Sequence, residues 1–95
     1  MTINELIVAS KEQRVDLYNG VYVQLFFDPI YKRWYYNLYE NNELKYAGIA
    51  LNPGSRPLHN IASYYVGLID KINDKTPYEP FNELGSRLGL LEIRQ

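Results

Sequence analysis

The chain contains no cysteine and a single histidine, His59, among its 95 residues. Without cysteine it can form neither a disulfide framework nor a thiolate-ligated metal site, and one histidine cannot supply a multi-histidine site. An excess of charge is lacking too, because ten basic side chains stand against eleven acidic ones, a net charge of −1. That balance gives no electrostatic basis for nucleic acid or an anionic membrane as the main partner.

Long apolar runs are also missing. None approaches the roughly 18 residues of a membrane span, and the first residues lack the basic-then-apolar layout of a signal peptide. We therefore expect a soluble protein of a reducing compartment, or of an assembly built in one. The length suits one core rather than two, and no repeat or linker divides the chain. We expect a single β domain over residues 1–95.

What the chain has in abundance is tyrosine, with ten tyrosines against three phenylalanines and one tryptophan. Nine of these aromatic residues lie between Tyr18 and Tyr39, in the stretch from Val21 to Tyr39 and just before it. The stretch alternates with the two-residue period of pleated strands and is broken at Asp28-Pro29, which predicts a hairpin. One side of it collects the residues that we expect in the core: Val21, Val23, Leu25, Phe27, Trp34, Tyr36 and Leu38.

Further extended segments are separated by turn signals, a spacing typical of sandwiches and barrels. The predicted strands besides the hairpin are Ile3–Ala9, Gln13–Leu17, Leu44–Leu51 and Leu88–Ile93. Asn19-Gly20 and the polar turn Glu40–Glu43 predict tight connections. The sequence therefore predicts an all-β, mainly antiparallel fold, either a small β-sandwich or a partly open β-barrel.

Five local features complete this prediction. The apolar parity changes at Gly48, which indicates a β-bulge, and residues 52–57 are expected to form an irregular loop. Residues 58–72 fit a helix or a strand pair broken at Gly67, and propensity favours strand. Phe81–Gly85 predicts a turn or one helical turn capped by glycine, the possible short helix of the fold. We expect few groups to lie opposite Gly89.

No catalytic constellation can be assembled from these residues. His59 follows a proline-containing loop and is expected to be a surface or capping residue, without a nucleophile or acid to form a triad. Carboxylate pairs such as Glu40 with Glu43 lie in polar turns, where charged side chains are expected because they remain in contact with solvent. The segment Gly85–Gly89 is too short and apolar to hold phosphate. We predict a protein that is not an enzyme and uses no cofactor.

The hairpin side opposite Trp34 carries the predicted functional surface. If Trp34 and Leu38 point inward, a patch of aromatic side chains points outward, and two loop residues lie at its edge. Exposed patches that are mostly apolar are typical of protein interfaces. The predicted partner-interface residues are Tyr22, Phe26, Tyr31, Arg33, Tyr35 and Tyr39. Two alternatives stay open. A second sheet or residues 58–72 could cover this face within the chain, or the aromatic face could bind a peptide or single-stranded nucleic acid.

The order of these signals along the chain has a counterpart in a known family. It begins with Gln13 before the first hairpin, then Tyr22 with Leu25, Trp34 with Leu38, the turn Asn41-Asn42, the segment Tyr46–Leu51 interrupted by Gly48, Pro53-Gly54 before Leu58, and finally Leu84-Gly85-Ser86-Arg87-Leu88. This order, from about Gln13 to Leu91, resembles the small baseplate plug proteins of contractile-tailed phages, the cyanophage baseplate plug-like family. Tyr35-Tyr36 is more aromatic and residues 52–57 are richer in proline than that pattern.

The resemblance implies a non-enzymatic structural subunit of a phage tail baseplate, near the hub and tube. It implies other hub, tube or spike proteins as partners, self-association in a symmetric assembly, and assembly in the host bacterial cytoplasm. Exposed tyrosines and sheet edges would supply the contact surface.

Overall fold

Two antiparallel sheets and one short helix make up the described residues (2–6, 14–54, 58–59, 61–72 and 75–94) of this computed structural model. The elements are β1 (Thr2–Leu6), β2 (Arg14–Asp16), β3 (Val21–Asp28), β4 (Arg33–Glu40), β5 (Glu43–Leu51), β6 (Tyr64–Asp70), α1 (Pro80–Glu83) and β7 (Leu88–Arg94). The three-stranded sheet has the order β1-β7-β6 and the four-stranded sheet the order β2-β3-β4-β5. The prediction of an all-β, mainly antiparallel fold with one short helix is confirmed.

The predicted hairpin lies at the centre of the four-stranded sheet. Its register pairs Val23 with Leu38 and Leu25 with Tyr36, so the alternating apolar residues share one face. Six of the seven predicted core residues on that face are buried and Phe27 is half-buried. The Tyr36 hydroxyl donates a hydrogen bond to the Val66 carbonyl of the three-stranded sheet at 3.4 Å. The core therefore lies between the two sheets, on the side of the hairpin that the sequence indicated.

Two tight turns close the same end of the four-stranded sheet. Asn19 and Gly20 have φ of 63° and 77°, and Asn41 and Asn42 have φ of 53° and 65°. This left-handed geometry suits two-residue hairpin loops, and asparagine and glycine reach it at low cost. The Asn41 N–H donates to the Gly20 carbonyl at 3.1 Å, so the two turns are joined to each other.

The strand β5 is irregular where Gly48 was predicted to form a bulge. Gly48 has φ of 66°, and the register with β4 shifts between Tyr36 and Leu38. The Asn37 side-chain oxygen accepts a hydrogen bond from the Gly48 N–H at 2.8 Å, which replaces a ladder bond lost at the bulge. The bulge is confirmed, and the register shifts a second time between Leu38 and Tyr39.

The segment from 58 to 72 ends in a strand. Pairing of β6 with β7 continues through Gly67, which lies opposite Leu91, so both the helical alternative and a break at Gly67 are wrong. A turn precedes the strand, with the Leu58 carbonyl accepting from the Ala62 N–H at 3.0 Å. Burial on both faces of a sheet favours a nearly continuous apolar run, which explains why this segment lacks clear alternation.

The first and last strands pair with each other, and this pairing explains Gly89. Residues Thr2–Leu6 of the predicted first strand form β1, whereas residues 7–9 and Gln13 lie outside the described residues. A Cβ on Gly89 would lie 2.6 Å from a Glu5 carboxylate oxygen and 3.0 Å from the Lys71 Cε. Glu5 and Lys71 form an ion pair at 3.0 Å over this position. The expectation that few groups lie opposite Gly89 is wrong.

The connection between β6 and β7 is anchored to both sheets. The indole Nε1–H of Trp34 donates to the Pro80 carbonyl at 3.0 Å, which fixes α1 against β4. The buried Arg87 guanidinium binds both oxygens of Asp70, at 2.9 and 3.0 Å. The predicted single helical turn is present, but glycine does not cap it: Leu84 leaves the helix in extended conformation. Gly85, with φ of 94°, lies in a turn in which the Ser86 N–H donates to the Glu83 carbonyl at 3.1 Å.

The loop after β5 is described only in part. Pro53 bridges to Leu68, and the Gly54 N–H donates to the Leu68 carbonyl at 3.0 Å, whereas residues 55–57 lie outside the described ranges. The described part of the chain contains no helix long and apolar enough to span a bilayer.

Candidate interaction surface

The side of the four-stranded sheet that faces away from the core carries four aromatic residues. Tyr22 and Phe26 come from β3, and Tyr35 and Tyr39 come from β4, all alternating with buried residues. We refer to these four as the outer aromatic face. Tyr22 is the register partner of Tyr39, and Phe26 that of Tyr35. The structure therefore brings four of the six predicted interface residues together, as two cross-strand pairs.

Each pair is stacked. The rings of Tyr22 and Tyr39 have centroids 4.9 Å apart and an interplanar angle of 6°, and those of Phe26 and Tyr35 are 5.6 Å apart at 15°. The Arg14 guanidinium lies 3.9 Å from the centroid of Tyr22, on the β2 side of that ring. Because Tyr39 lies on the β4 side, both faces of Tyr22 are occupied within the protein. Cross-strand pairs of this kind stabilise a sheet by about 0.2–1 kcal/mol each.

The two aromatic pairs are separated by a polar row. Gln24 and Asn37 are register partners between them, and the Asn37 side chain is held by its bond to Gly48. With four residues from one pair to the next, the pairs are about 13 Å apart along the strands. Toward β5 the surface continues with small or aliphatic partners, Ala50 beside Tyr35 and the exposed Leu44 beside Tyr39.

The inner side of the four-stranded sheet is covered by residues of the second sheet and of the preceding turn, whereas its outer side is more exposed to solvent. Leu58 and the residues Tyr65, Val66 and Leu68 of β6 belong to the core cluster that includes the inner hairpin residues. Phe26 of the outer aromatic face is 39% exposed. Among the described residues, the second sheet therefore packs against the inner face, contrary to the alternative that it covers the outer one.

The remaining two predicted residues lie at the end of the hairpin rather than within the outer aromatic face. Tyr31 is in the loop between β3 and β4 and is 70% exposed, next to Ile30 at 83%. Arg33 is exposed at the start of β4, opposite Asp28. The Asp28 carboxylate accepts hydrogen bonds from the Ile30 and Tyr31 N–H groups at 2.8 and 3.3 Å, which gives the loop a defined shape.

The sequence did not reveal a groove at the opposite end of the hairpin. It encloses about 380 Å³ and is lined by Arg14, Asp16, Leu17, Gly20, Val21, Tyr22, Asn41 and Asn42. Both of its turns were predicted, but their contact depends on the strand register that places Gly20 next to Asn41. A Cβ on Gly20 would lie 2.9 Å from the side-chain Asn41 Oδ1, and the φ of 77° favours glycine at this position.

Two titratable residues outside this surface, His59 and Tyr36, have environments that the packing of the fold explains. His59 is exposed, as predicted, with its Nδ1 3.1 Å from the Tyr65 hydroxyl. Burial raises the pKa of the Tyr36 phenol well above its ordinary value of about 10. Within the described ranges, no group of three or more histidine, aspartate or glutamate residues is placed to hold a metal ion.

Comparison with known proteins adds no relative to this description. A scan against protein-family models finds no match for the chain, and a search of the curated proteins finds none either. The function proposed below therefore depends on the geometry of the outer aromatic face and on the resemblance in motif order.

Proposed function

We propose that this chain is a non-enzymatic structural subunit that binds other proteins of an assembly through its outer aromatic face. The observation that carries the proposal is that aromatic rings stack in two cross-strand pairs on the sheet face away from the core. These pairs are Tyr22 with Tyr39 and Phe26 with Tyr35. Tyrosine and phenylalanine offer rigid contact area at low entropic cost, and they are enriched where interface energy concentrates.

The ring orientation favours a protein partner over a single strand of nucleic acid. Bases stack on exposed aromatic faces in single-strand binding proteins. Here both faces of Tyr22 are occupied, by Tyr39 and by Arg14, so the pair presents ring edges and hydroxyls to solvent. A net charge of −1 provides little attraction for a phosphate backbone. A flat protein surface with hydrogen-bonding groups fits these edges better.

The assembly that we propose is the baseplate of a contractile phage tail, with the chain as a plug-like subunit near the hub. The support for this is the motif order from about Gln13 to Leu91, together with the all-β fold. The proposed partners are hub, tube or spike proteins and further copies of the chain, assembled in the host bacterial cytoplasm into the virion.

The proposal is tested by the double substitution Tyr35→Ser, Tyr39→Ser. Co-expression with neighbouring tail genes, followed by size-exclusion chromatography, should show a complex for the wild type and its loss for the double variant, at a nearly unchanged melting temperature. The variant Tyr35→Phe, Tyr39→Phe keeps both rings and should retain most binding if ring area dominates. Ile69→Ser provides a control, because Ile69 is an exposed apolar residue on the other sheet, away from the outer aromatic face.

Three results would overturn the proposal. If the double variant unfolds and the single variant Phe26→Ser does so too, the outer aromatic face is part of the core. If the wild type forms no complex with any neighbouring tail protein, the baseplate role is wrong. If the wild type binds a fluorescent oligothymidylate or a peptide pool and the double variant does not, the alternative binding function is correct.

A further inference from the structure

The strand β4 carries opposite free charges at its two ends. Arg33 begins the strand and Glu40 ends it, and both are exposed. Within the described part of the chain, neither forms an ion pair. Eight residues of strand separate these charges by about 23 Å. Charges this far apart cannot neutralise each other within one molecule.

The neighbours of these two residues carry further charges. Asp28 is the register partner of Arg33. Lys32 adds a second cation beside Arg33, with its Nζ 3.9 Å from a Glu79 carboxylate oxygen and both side chains of that pair more than 60% exposed. At the other end, Glu43 lies directly opposite Glu40 in the sheet. Like charges directly opposite each other destabilise a strand pair. The Lys45 Nζ lies 3.5 Å from the Glu43 Oε2 and offsets part of this repulsion, so a cation from another molecule would act on Glu40.

The basic end has a projecting apolar tip. Ile30 and Tyr31 are the most exposed large hydrophobic residues of the described chain, at the apex of a loop fixed by Asp28. Lys32 completes this loop with φ of 54°, a conformation that costs a residue with a Cβ roughly 1–2 kcal/mol. Residues in such strained positions cluster at functional sites, which supports a contact role for the tip.

The acidic end has the groove between the two turns. Its volume of about 380 Å³ accommodates a tyrosine side chain. Its lining combines Leu17, Val21 and the edge of the Tyr22 ring with the side chains of Asn41 and Asn42 and the Arg14–Asp16 ion pair. A tyrosine needs both kinds of lining, because its ring is apolar and its hydroxyl requires a hydrogen-bond partner. The bond between the turns, from the Asn41 N–H to the Gly20 carbonyl, holds the groove open without a ligand.

We propose that the tip of one copy of this chain, residues 30–33, binds in the groove between the turns of a second copy. Tyr31 enters the groove, and the adjacent Arg33 meets Glu40 of the second copy. The groove is large enough for a tyrosine side chain and the two charges are opposite, so a second copy of the chain supplies both halves of the contact.

This contact has to be head-to-tail. The tip follows the end of β3 and the groove adjoins its beginning, so the two surfaces lie at opposite ends of the same hairpin. Different patches on the two copies make a heterologous interface, which closes into a ring or continues as a filament. The inference extends the proposed assembly role. The groove shares Tyr22 with the outer aromatic face, but neither Tyr35 nor Tyr39 lines it, so substitutions at those two positions separate the two contacts.

A charge-swap experiment tests the contact. We expect the wild type to associate in sedimentation-velocity runs over a range of protein concentrations, and to do so less at high ionic strength. Arg33→Glu or Glu40→Lys should each weaken association by about tenfold or more. The double variant Arg33→Glu, Glu40→Lys, and an equimolar mixture of the two single variants, should both recover it. Restoration by a second charge reversal requires that these two residues meet.

Further variants separate shape from charge and from unfolding. Tyr31→Ser should weaken association without changing the melting temperature, because the ring is mostly in solvent in the single copy. Lys75→Glu is the matched charge-reversal control, and it should leave association unchanged. Tyr35→Ser, Tyr39→Ser should retain self-association through the tip while losing any partner bound to the outer aromatic face.

The inference is overturned by any of three results. One is a wild type that stays monomeric at all concentrations. Another is association that both single charge reversals leave intact, or that the paired reversals do not restore. The third is a binding partner of different sequence that requires Arg33 but is indifferent to Glu40, which would identify an acidic protein rather than a second copy as the occupant.

Discussion

Replacing Trp34 by alanine should remove the contact that joins the four-stranded sheet to the β6–β7 connection. Trp34 is 4% exposed, and its ring lies against Phe81 at 5.7 Å and edge-on to Phe27 at 5.3 Å. Its Nε1–H is bonded to the Pro80 carbonyl at 3.0 Å. The substitution therefore creates a cavity, breaks two aromatic contacts and leaves a carbonyl without its donor.

The expected loss is a large share of the total stability. Truncation of a buried tryptophan costs about 3–5 kcal/mol, and the lost hydrogen bond adds about 0.5–1.5 kcal/mol. A domain of this length has a free energy of unfolding of roughly 5–14 kcal/mol. With an unfolding entropy of about 0.2 kcal/mol/K, a loss of 4 kcal/mol lowers the melting temperature by about 20 °C.

Urea denaturation followed by far-UV circular dichroism measures this loss. Tryptophan fluorescence cannot be used, because Trp34 is the only tryptophan. Trp34→Phe is the matched control, since it keeps an aromatic ring beside Phe81 and loses only the N–H donor and part of the volume. We expect it to cost about 1–2 kcal/mol. If Trp34→Ala changed the free energy of unfolding by less than about 1 kcal/mol, the inward assignment of the hairpin face would be refuted.

Three further predictions concern single positions. Gly48→Val should destabilise by well over 1 kcal/mol in chemical denaturation, because φ is 66° while the space around its Cβ is open, and an unchanged midpoint would contradict the bulge. Arg87→Met should cost about 3–5 kcal/mol by leaving the Asp70 carboxylate without its bidentate partner, and full stability in the variant would show that the pair is dispensable. Since desolvation raises the pKa of Tyr36 in the folded state, stability should be complete below about pH 10 and fall above it. Tyr36→Phe should flatten that fall in melts across this pH range, and an equally steep fall in the variant would exclude Tyr36 as its cause.

The features of the fold that follow local rules could be predicted from the sequence. Period-two alternation from Val21 to Tyr39 gave the hairpin and its buried face, because only one face of this sheet packs against the second one. Asn19-Gly20 and Asn41-Asn42 gave the turns, because asparagine and glycine take positive φ at low cost. The parity change at Gly48 gave the bulge for the same reason.

The features that depend on distant residues could not be predicted. Gly89 looked unremarkable in the sequence, yet it lies under an ion pair between Glu5 and Lys71, which are 66 residues apart. Gly67 suggested a break, but pairing with β7 carries the strand through it. For the candidate site, alternation placed the four residues of the outer aromatic face. The groove at Gly20 required knowledge of which turns are neighbours.

Three of the four sheet edges are poorly suited to strand addition, and β1 forms the fourth edge. Strand β5 is the long edge of the four-stranded sheet, but two register shifts and the positive φ of Gly48 distort it. Bulges of this kind prevent an edge from pairing with another chain. The opposite edge, β2, has only three residues, and Pro53 and Gly54 contact β6 at Leu68. Strand addition at these three edges is therefore a poorer route to assembly than the sequence suggested. The undistorted surfaces of the hairpin are its outer aromatic face and its two ends, and the two proposed contacts use these surfaces.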